Sequence, residues 1–108
     1  MNSKYKVVTL CGSSKFKEEF IQAQRELTLN GYIVISLGLF GHAEGYYNTI
    51  ITKDVKNMLD DMHMCKIDMS DMIYVINKND YIGHSTQSEI NYAKSKGKSV
   101  VYMFNHND

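Results

Sequence analysis

The residue pattern with the most chemical content is Ser85-Thr86-Gln87-Ser88-Glu89, which follows a polar loop and opens a predicted helix. Thr86 and Glu89 have the spacing of a capping box, in which the glutamate reaches back to an amide at the helix start. The same spacing puts a carboxylate in the first helical turn, where the helix dipole favours the ionised form that a nucleophile needs. Spacing alone does not choose between a cap and a nucleophile.

A second candidate is the turn Gly12-Ser13-Ser14, between a strand-like segment and a predicted helix. Free amides at a helix start attract anions, and the two hydroxyls add donors, so the turn suits a phosphate or a sugar hydroxyl. Serine is also a preferred N-cap, which is the structural alternative. The chain has neither a Gly-x-Gly-x-x-Gly pattern nor the Gly-Lys-Ser/Thr of a P-loop, so neither a dinucleotide nor ATP is expected, and no cofactor is predicted.

The loop from Gly38 to Gly45 contains three glycines in eight residues, so its backbone is expected to turn sharply or to approach something closely. Phe40 and His42 lie in this loop, which is one of the loops where any chemistry is to be sought. The alternative is a crossover loop with Phe40 packed on the core.

A metal centre built from His63, Cys65 and Asp68 is not expected. These three positions do not share one face of a helix. The chain also lacks the Cys-x-x-Cys and His-x-x-x-His pairs of common zinc sites. The sequence therefore predicts no metal.

The elements that must position these residues alternate in type along the chain. Apolar, β-branched runs predict strands, and segments of helical period predict helices between them. The strands are expected at 6–11, 32–37, 72–76 and 99–104, and the helices at 15–30, from 52 onwards and at 85–96. This order predicts an α/β fold, a small three-layer sandwich with a parallel sheet of four to five strands, Rossmann-like or flavodoxin-like. Ligands bind beyond the carboxyl ends of such strands, where the candidate loops converge.

Two helices carry apolar stripes. Phe16, Phe20, Ala23 and Leu27 form the stripe of the first helix, and Val55, Met58, Leu59, Met62 and Cys65 form that of the second. The methionines of the second helix are adaptable apolar surface that suits either a subunit contact or the core.

Composition bounds the class of protein. The 108 residues suit one domain, 1–108, and twelve basic residues balance twelve acidic ones, with Arg25 the lone arginine, so no nucleic-acid partner is expected. No apolar run approaches the ~20 residues of a membrane span, so no membrane partner is expected. The start, 1–6, does not have the pattern of a signal peptide. Two cysteines, both in segments predicted to be buried, are too few for a disulfide framework and favour a reduced, cytoplasmic protein.

Three stretches together resemble the nucleoside 2-deoxyribosyltransferase superfamily. They are 70–77, an acidic residue before an apolar strand; 81–93, which contains Ser85-Thr86-x-x-Glu89; and 97–101, Gly-Lys before the last strand. The first strand and its turn Cys11-Gly12-Ser13-Ser14 also resemble that family. They are most similar to its branch that hydrolyses deoxynucleoside 5′-monophosphates.

The resemblance implies roles for individual residues. Glu89 matches the nucleophile that attacks the anomeric carbon, and His63 or Asp71 is the candidate proton donor or orienting group. The substrate contacts it implies are Gly12, Ser13, Ser14, Phe40, His42, Gly83, Ser85 and Thr86. It also implies a homodimer or a higher homo-oligomer.

Three positions depart from the family pattern, one of them Asn91, which replaces a frequent family glycine two residues after Glu89. Gly83 stands six residues before Glu89, where the transferases often carry an aspartate, and His63 stands where they carry another. A histidine can donate a proton near neutral pH, so His63 can keep the role of the acid. The functional expectation is cleavage or transfer at the N-glycosidic bond of a deoxynucleoside or its monophosphate. A nucleotide-binding sensor without catalysis is the alternative.

Overall fold

The computed structural model describes residues 4–106, in which strands and helices alternate. The strands are β1 (Val7–Gly12), β2 (Ile33–Ile35), β3 (Met72–Ile76) and β4 (Ser99–Tyr102). The helices are α1 (Lys17–Leu29), α2 (Lys53–Asp68) and α3 (His84–Ser95). Residues 1–3 and 107–108 of the expected domain, which include part of the start compared above with a signal peptide, lie outside the described residues.

The four strands form one parallel sheet in the order β2-β1-β3-β4. Side chains of β1 alternate between two core clusters, because successive residues of a strand point to opposite faces. Leu10 packs with α1 residues on one face, and Cys11 packs with residues of α2 and α3 on the other. The predicted α/β fold class, with helices on both faces of a parallel sheet, is confirmed.

Local sequence signals account for several helix ends. Thr52 caps α2, its side-chain oxygen accepting a hydrogen bond from the Val55 amide at 3.3 Å. Gly31 and Gly97 follow the ends of α1 and α3 with φ values of +90° and +71°. This left-handed conformation is open to glycine at no steric cost, so glycine ends both helices cleanly.

The apolar stripe predicted for α1 is buried, with Phe20 and Ala23 in the core. Of the two alternatives left open for the α2 stripe, the core does not hold for Met58 and Met62, which are 52% and 47% exposed. The buried residues of α2 are instead His63 and Ile67. The physical reason is that α2 turns a largely polar face towards a cavity at the sheet edge, leaving its methionines outside.

The capping box predicted for α3 is not formed. The helix begins at His84 after Gly83, and no side chain caps it. Thr86 is therefore an interior residue of the helix, and Glu89 lies in the second turn. The structure removes the capping explanation for Glu89 and leaves its carboxylate available for another role.

Candidate active site

A cavity of about 240 Å³ lies at the carboxyl edge of the sheet, as the topology predicts. Its walls come from the loops after β1, β2 and β3, from one face of α2 and from the start of α3. All the residues predicted for the site line it except Phe40 and Asp71. The residues that do so are Gly12, Ser13, Ser14, His42, His63, Gly83, Ser85, Thr86 and Glu89.

Glu89 projects from α3 into the wall of this cavity and is only 9% exposed. Its Oε1 lies 3.5 Å from Nε2 of His63, and that nitrogen lies 3.3 Å from Sγ of Cys11. Burial raises the pKa of Glu89 to about 7, against a smaller lowering by the Cys11 thiol. The expectation that the helix dipole keeps Glu89 ionised is therefore wrong. The residue lies beyond the first turn, and desolvation outweighs the dipole.

His63 is the most deeply buried side chain of α2 that faces the cavity. Burial, with a smaller contribution from the nearby Lys66 ammonium, lowers its pKa to about 4. The imidazole is therefore neutral at pH 7. The expectation that His63 donates a proton at neutral pH is not met, because desolvation disfavours the charged imidazolium that would have to donate it.

Cys11 ends up beside His63 because it faces α2 from β1. Burial, and then the Glu89 carboxylate, raise the pKa of its thiol well above the ordinary value. Cys11 is buried as expected, but Cys65 on α2 is exposed, and both are free thiols. The sequence analysis considered Cys65 together with His63, whereas the cysteine that lies next to His63 is Cys11.

The Gly12-Ser13-Ser14 turn forms the wall that follows β1. The Ser13 hydroxyl oxygen accepts from the Lys15 amide at 3.3 Å, and that of Ser14 accepts from the His42 amide at 3.0 Å. Each hydroxyl keeps its own hydrogen for a ligand. The serine N-cap alternative is not realised, because the residue capping α1 is Phe16, which makes no side-chain cap.

The glycine-rich loop contributes His42 but not Phe40. The His42 ring stacks on Tyr47, with centroids 4.1 Å apart, and both side chains line the cavity. Phe40 instead makes an edge contact with Phe20, at 5.5 Å between centroids, in the core cluster under α1. The alternative of a core-packed Phe40 is the one that the structure shows.

Asp71 lies at the other end of β3 from the cavity. Its Oδ2 accepts a hydrogen bond from the Val7 amide at 2.8 Å, which ties the starts of β1 and β3 together. A five-residue strand spans roughly 16 Å, so this carboxylate is remote from Glu89. The prediction that Asp71 is a proton donor in the site is corrected to a structural role.

Three charged residues of α2 that line the cavity, Lys56, Asp60 and Lys66, were missed by the sequence reasoning. They share one face of that helix with His63 at helical spacing, a polar stripe that the sequence does contain. Lys56 pairs with Asp60 at 2.8 Å, and Nζ of Lys66 donates to the Ser36 carbonyl at 3.0 Å. Tyr81, from the loop after β3, also lines the cavity and was missed as well.

A second cavity of about 280 Å³ opens between α2 and α3 and also has Glu89 in its wall. Met64 and Ser88 line this side only. Glu89 therefore belongs to the walls of both cavities, together with Lys56, Asp60, His84 and Ser85.

None of the helices within residues 4–106 combines the length and apolar character that a membrane crossing requires. No family model matches the chain, and no curated protein matches it either. The resemblance to nucleoside 2-deoxyribosyltransferases stays a prediction, and the site geometry is the ground for a functional proposal.

Proposed function

We propose that the protein cleaves, or transfers at, the N-glycosidic bond of a 2′-deoxynucleoside or its 5′-monophosphate, with Glu89 as the nucleophile. One observation carries the proposal. A buried carboxylate, not used as a helix cap, lines a cavity whose wall also contains the Gly12–Ser14 turn. These are the two features by which the deoxyribosyltransferase resemblance assigns nucleophile and substrate contacts.

The reaction follows the two-step course of a retaining glycosidase. An oxygen of ionised Glu89 attacks the anomeric carbon as the bond from that carbon to the base nitrogen breaks, and the bonding electron pair leaves with the base. A glycosyl ester of Glu89 results. Water, or a second base, then attacks the same carbon, the ester bond breaks and the carboxylate is regenerated.

The leaving base must gain a proton, and the buried groups do not provide it. Asp71 is remote, and His63 is neutral at pH 7, its pKa lowered to about 4 by burial. We assign the proton to solvent or to His42, whose imidazole lines the cavity on the loop after β2. His63 and Cys11 are left to hold the Glu89 carboxylate in place.

The polar groups of the cavity favour a monophosphate over a plain nucleoside. The Ser13 and Ser14 hydroxyls have hydrogens to donate, and Lys66 adds a positive charge to the same cavity. Phosphate oxygens take hydrogen bonds from such donors. Ser85 and Thr86, on the first turn of α3, are placed to hold a sugar oxygen or to orient Glu89.

The test is release of free base from deoxynucleoside monophosphates, followed by chromatography. The Glu89→Gln variant is expected to lose at least about a thousandfold in kcat, since it keeps the shape and removes the nucleophile. Glu18→Gln, on an exposed position of α1, is the matched control and should keep full activity. Mass spectrometry of quenched enzyme should show the glycosyl adduct in the wild type alone.

Binding without release in the wild type would instead support the nucleotide-sensor alternative. Base release that persists in Glu89→Gln would contradict the role of Glu89. Ribonucleotides in the same assay test whether the 2′-position matters.

We also propose a cytoplasmic homodimer. Two free thiols suit a reducing compartment. Met58, Met62, Cys65 and Met69 form an exposed, mostly apolar ridge along α2, here called the methionine ridge. Their spacing puts them on one side of the helix, where a second copy of the chain can pack against them.

A further inference from the structure

We propose that Cys11, His63 and Glu89 form a binding site for one Zn²⁺ ion, and that zinc held there switches off the attack by Glu89. The second half of this inference rests on the proposed function, whereas the metal site itself does not.

Three ligand atoms of different elements converge on one buried point. The sulfur, a ring nitrogen and a carboxylate oxygen all lie within 4.8 Å of one another. Nε2 of His63 is 3.3 Å from the Cys11 sulfur and 3.5 Å from the Glu89 oxygen. In a tetrahedral zinc site with bonds of about 2.0–2.3 Å, neighbouring ligand atoms lie roughly 3.3–3.6 Å apart. The distances from the imidazole nitrogen to the sulfur and to the carboxylate oxygen are therefore already those expected between the ligands of one zinc ion.

The chemistry of the donor set selects the metal. Thiolate, imidazole and carboxylate are all ligands that zinc takes, whereas calcium and magnesium require oxygen donors. A thiolate and a carboxylate together carry two negative charges, so a divalent ion makes the buried cluster neutral. Burial of a charged group is costly unless it is paired in this way.

The neighbouring lysines already have partners of their own, so they do not hold the three side chains that would bind zinc. Lys66 is the nearby cation, and its ammonium already donates to the Ser36 carbonyl at 3.0 Å. Lys56 is paired with Asp60 at 2.8 Å. The thiol proton is released to solvent when zinc binds, together with any proton on Glu89.

Zinc and the glycosyl ester compete for the same carboxylate oxygen. A coordinated Glu89 has its electron pair engaged by the metal and is held on the Cys11 side, so it does not attack a sugar carbon. The fourth zinc position would take water or a group of a ligand in the cavity. Loss of zinc then restores the nucleophile.

The test uses Co²⁺ as a spectroscopic stand-in for zinc, and then Zn²⁺ itself, with the reduced, metal-free chain. One equivalent of Co²⁺ should give a sulfur-to-cobalt charge-transfer band that Zn²⁺ abolishes. Cys11→Ser is expected to lose this band and at least about tenfold in zinc affinity, the least that ligand-shell changes usually cost. His63→Gln, a second ligand variant, should weaken zinc binding equally.

Cys65→Ser is the matched control, because it removes the exposed thiol of α2 and leaves the cluster intact. Thermal melting of each variant without metal verifies its fold. The site is refuted if the folded wild type binds no stoichiometric metal, or if Cys65→Ser and not Cys11→Ser loses the band.

The switch is tested separately from the reaction. Zinc should inhibit base release by the wild type, and a chelator should restore it. If the metal-free enzyme releases no base at all, the proposed function fails while the metal site stands on its spectrum. If Zn²⁺ abolishes the cobalt band of the wild type and base release continues, the switch fails and the site remains.

Discussion

Burial shifts the pKa values of Glu89 and His63 in opposite directions. Both are largely withdrawn from water, and each loses its charged form. The pKa of Glu89 rises to about 7, while that of His63 falls to about 4. At neutral pH the carboxylate is therefore poised between its two forms beside a neutral imidazole. That state suits a nucleophile which a small change in surroundings can switch on.

The two shifts predict a pH dependence of stability with opposing parts. Glu89 has a pKa raised from 4.5, so its favourable contribution is complete below about pH 4.5 and is lost as the pH rises through 7. His63 has a pKa lowered from 6.5, so its contribution is present above that value and is lost as the pH falls towards 4. The two effects oppose each other over most of the same range, so they largely cancel in the wild type.

Glu89→Gln should expose the histidine part alone. Its free energy of unfolding is expected to rise from about pH 4 to about pH 6.5, and its advantage over the wild type to grow by about 3 kcal/mol between pH 4.5 and pH 8. Denaturant unfolding across this range is the measurement, with Glu18→Gln expected to track the wild type. An advantage that shrinks with rising pH would contradict the shift assigned to Glu89.

Residue types and the family resemblance made Glu89, the serine turn and His42 candidates for the site, but did not predict how they are surrounded. Thr86 and Glu89 have the spacing of a capping box, and only the observed start of α3 at His84 removes that reading. Cys11 could not be joined to His63 from the sequence, because 52 residues separate them. A contact of that range depends on the crossing of strand and helix, which short-range periodicity does not encode.

Among the helices and strands, α2 is the element whose buried face the hydrophobic pattern does not predict. An apolar stripe normally faces the core, but here its residues Met58 and Met62 are exposed, because a neighbouring face of the helix carries the cavity's polar residues. The helix therefore has two competing faces, and counting apolar residues does not say which of them faces the core. The strands, apolar on both faces, and the helix α1, with one apolar face, were predicted to within a few residues.

The junction of β1 with the serine turn depends on a glycine without a side chain. A Cβ on Gly12 would lie 2.9 Å from Cβ of Ile76 and 3.0 Å from its carbonyl oxygen, so β1 and β3 would have to separate. Gly12→Ala is expected to lose about 1–3 kcal/mol of stability, the cost of overpacking. Nucleotide binding should weaken as well, since the turn moves.

Gly38→Ala is the matched control for this substitution. A Cβ there meets nothing within 4 Å, and Gly38 lines the same cavity. Its free energy of unfolding should stay close to that of the wild type. Equal losses in the two variants would show that tight packing at Gly12 is not what holds the turn.

For the whole molecule, topology made the site predictable before its residues were known in detail. Parallel strands in the order β2-β1-β3-β4 bring their following loops to one edge. The cavity formed there, with nearly all of the expected residues around it. Asp71 fails for the same topological reason. It precedes β3, so it belongs to the opposite edge.

The methionine ridge gives a prediction for the assembled molecule. Met58, Met62 and Met69 are 52%, 47% and 70% exposed on one side of α2, which leaves apolar surface in water unless a partner covers it. A dimer would have twice the 12.4 kDa mass of the chain. Met62→Lys should give a monomer, because a lysine opposite its own copy at the centre of a two-fold interface brings like charges together.

Light scattering coupled to size-exclusion chromatography measures this mass, and Leu29→Lys is the matched control. Leu29 is 81% exposed at the end of α1, on the other face of the sheet from α2, so its substitution should leave the dimer intact. A monomeric wild type, or dissociation by Leu29→Lys alone, would remove the ridge as the interface. Because Glu89 and His63 face the cavity on the inner side of α2, the monomeric Met62→Lys variant should still bind zinc with the affinity of the wild type.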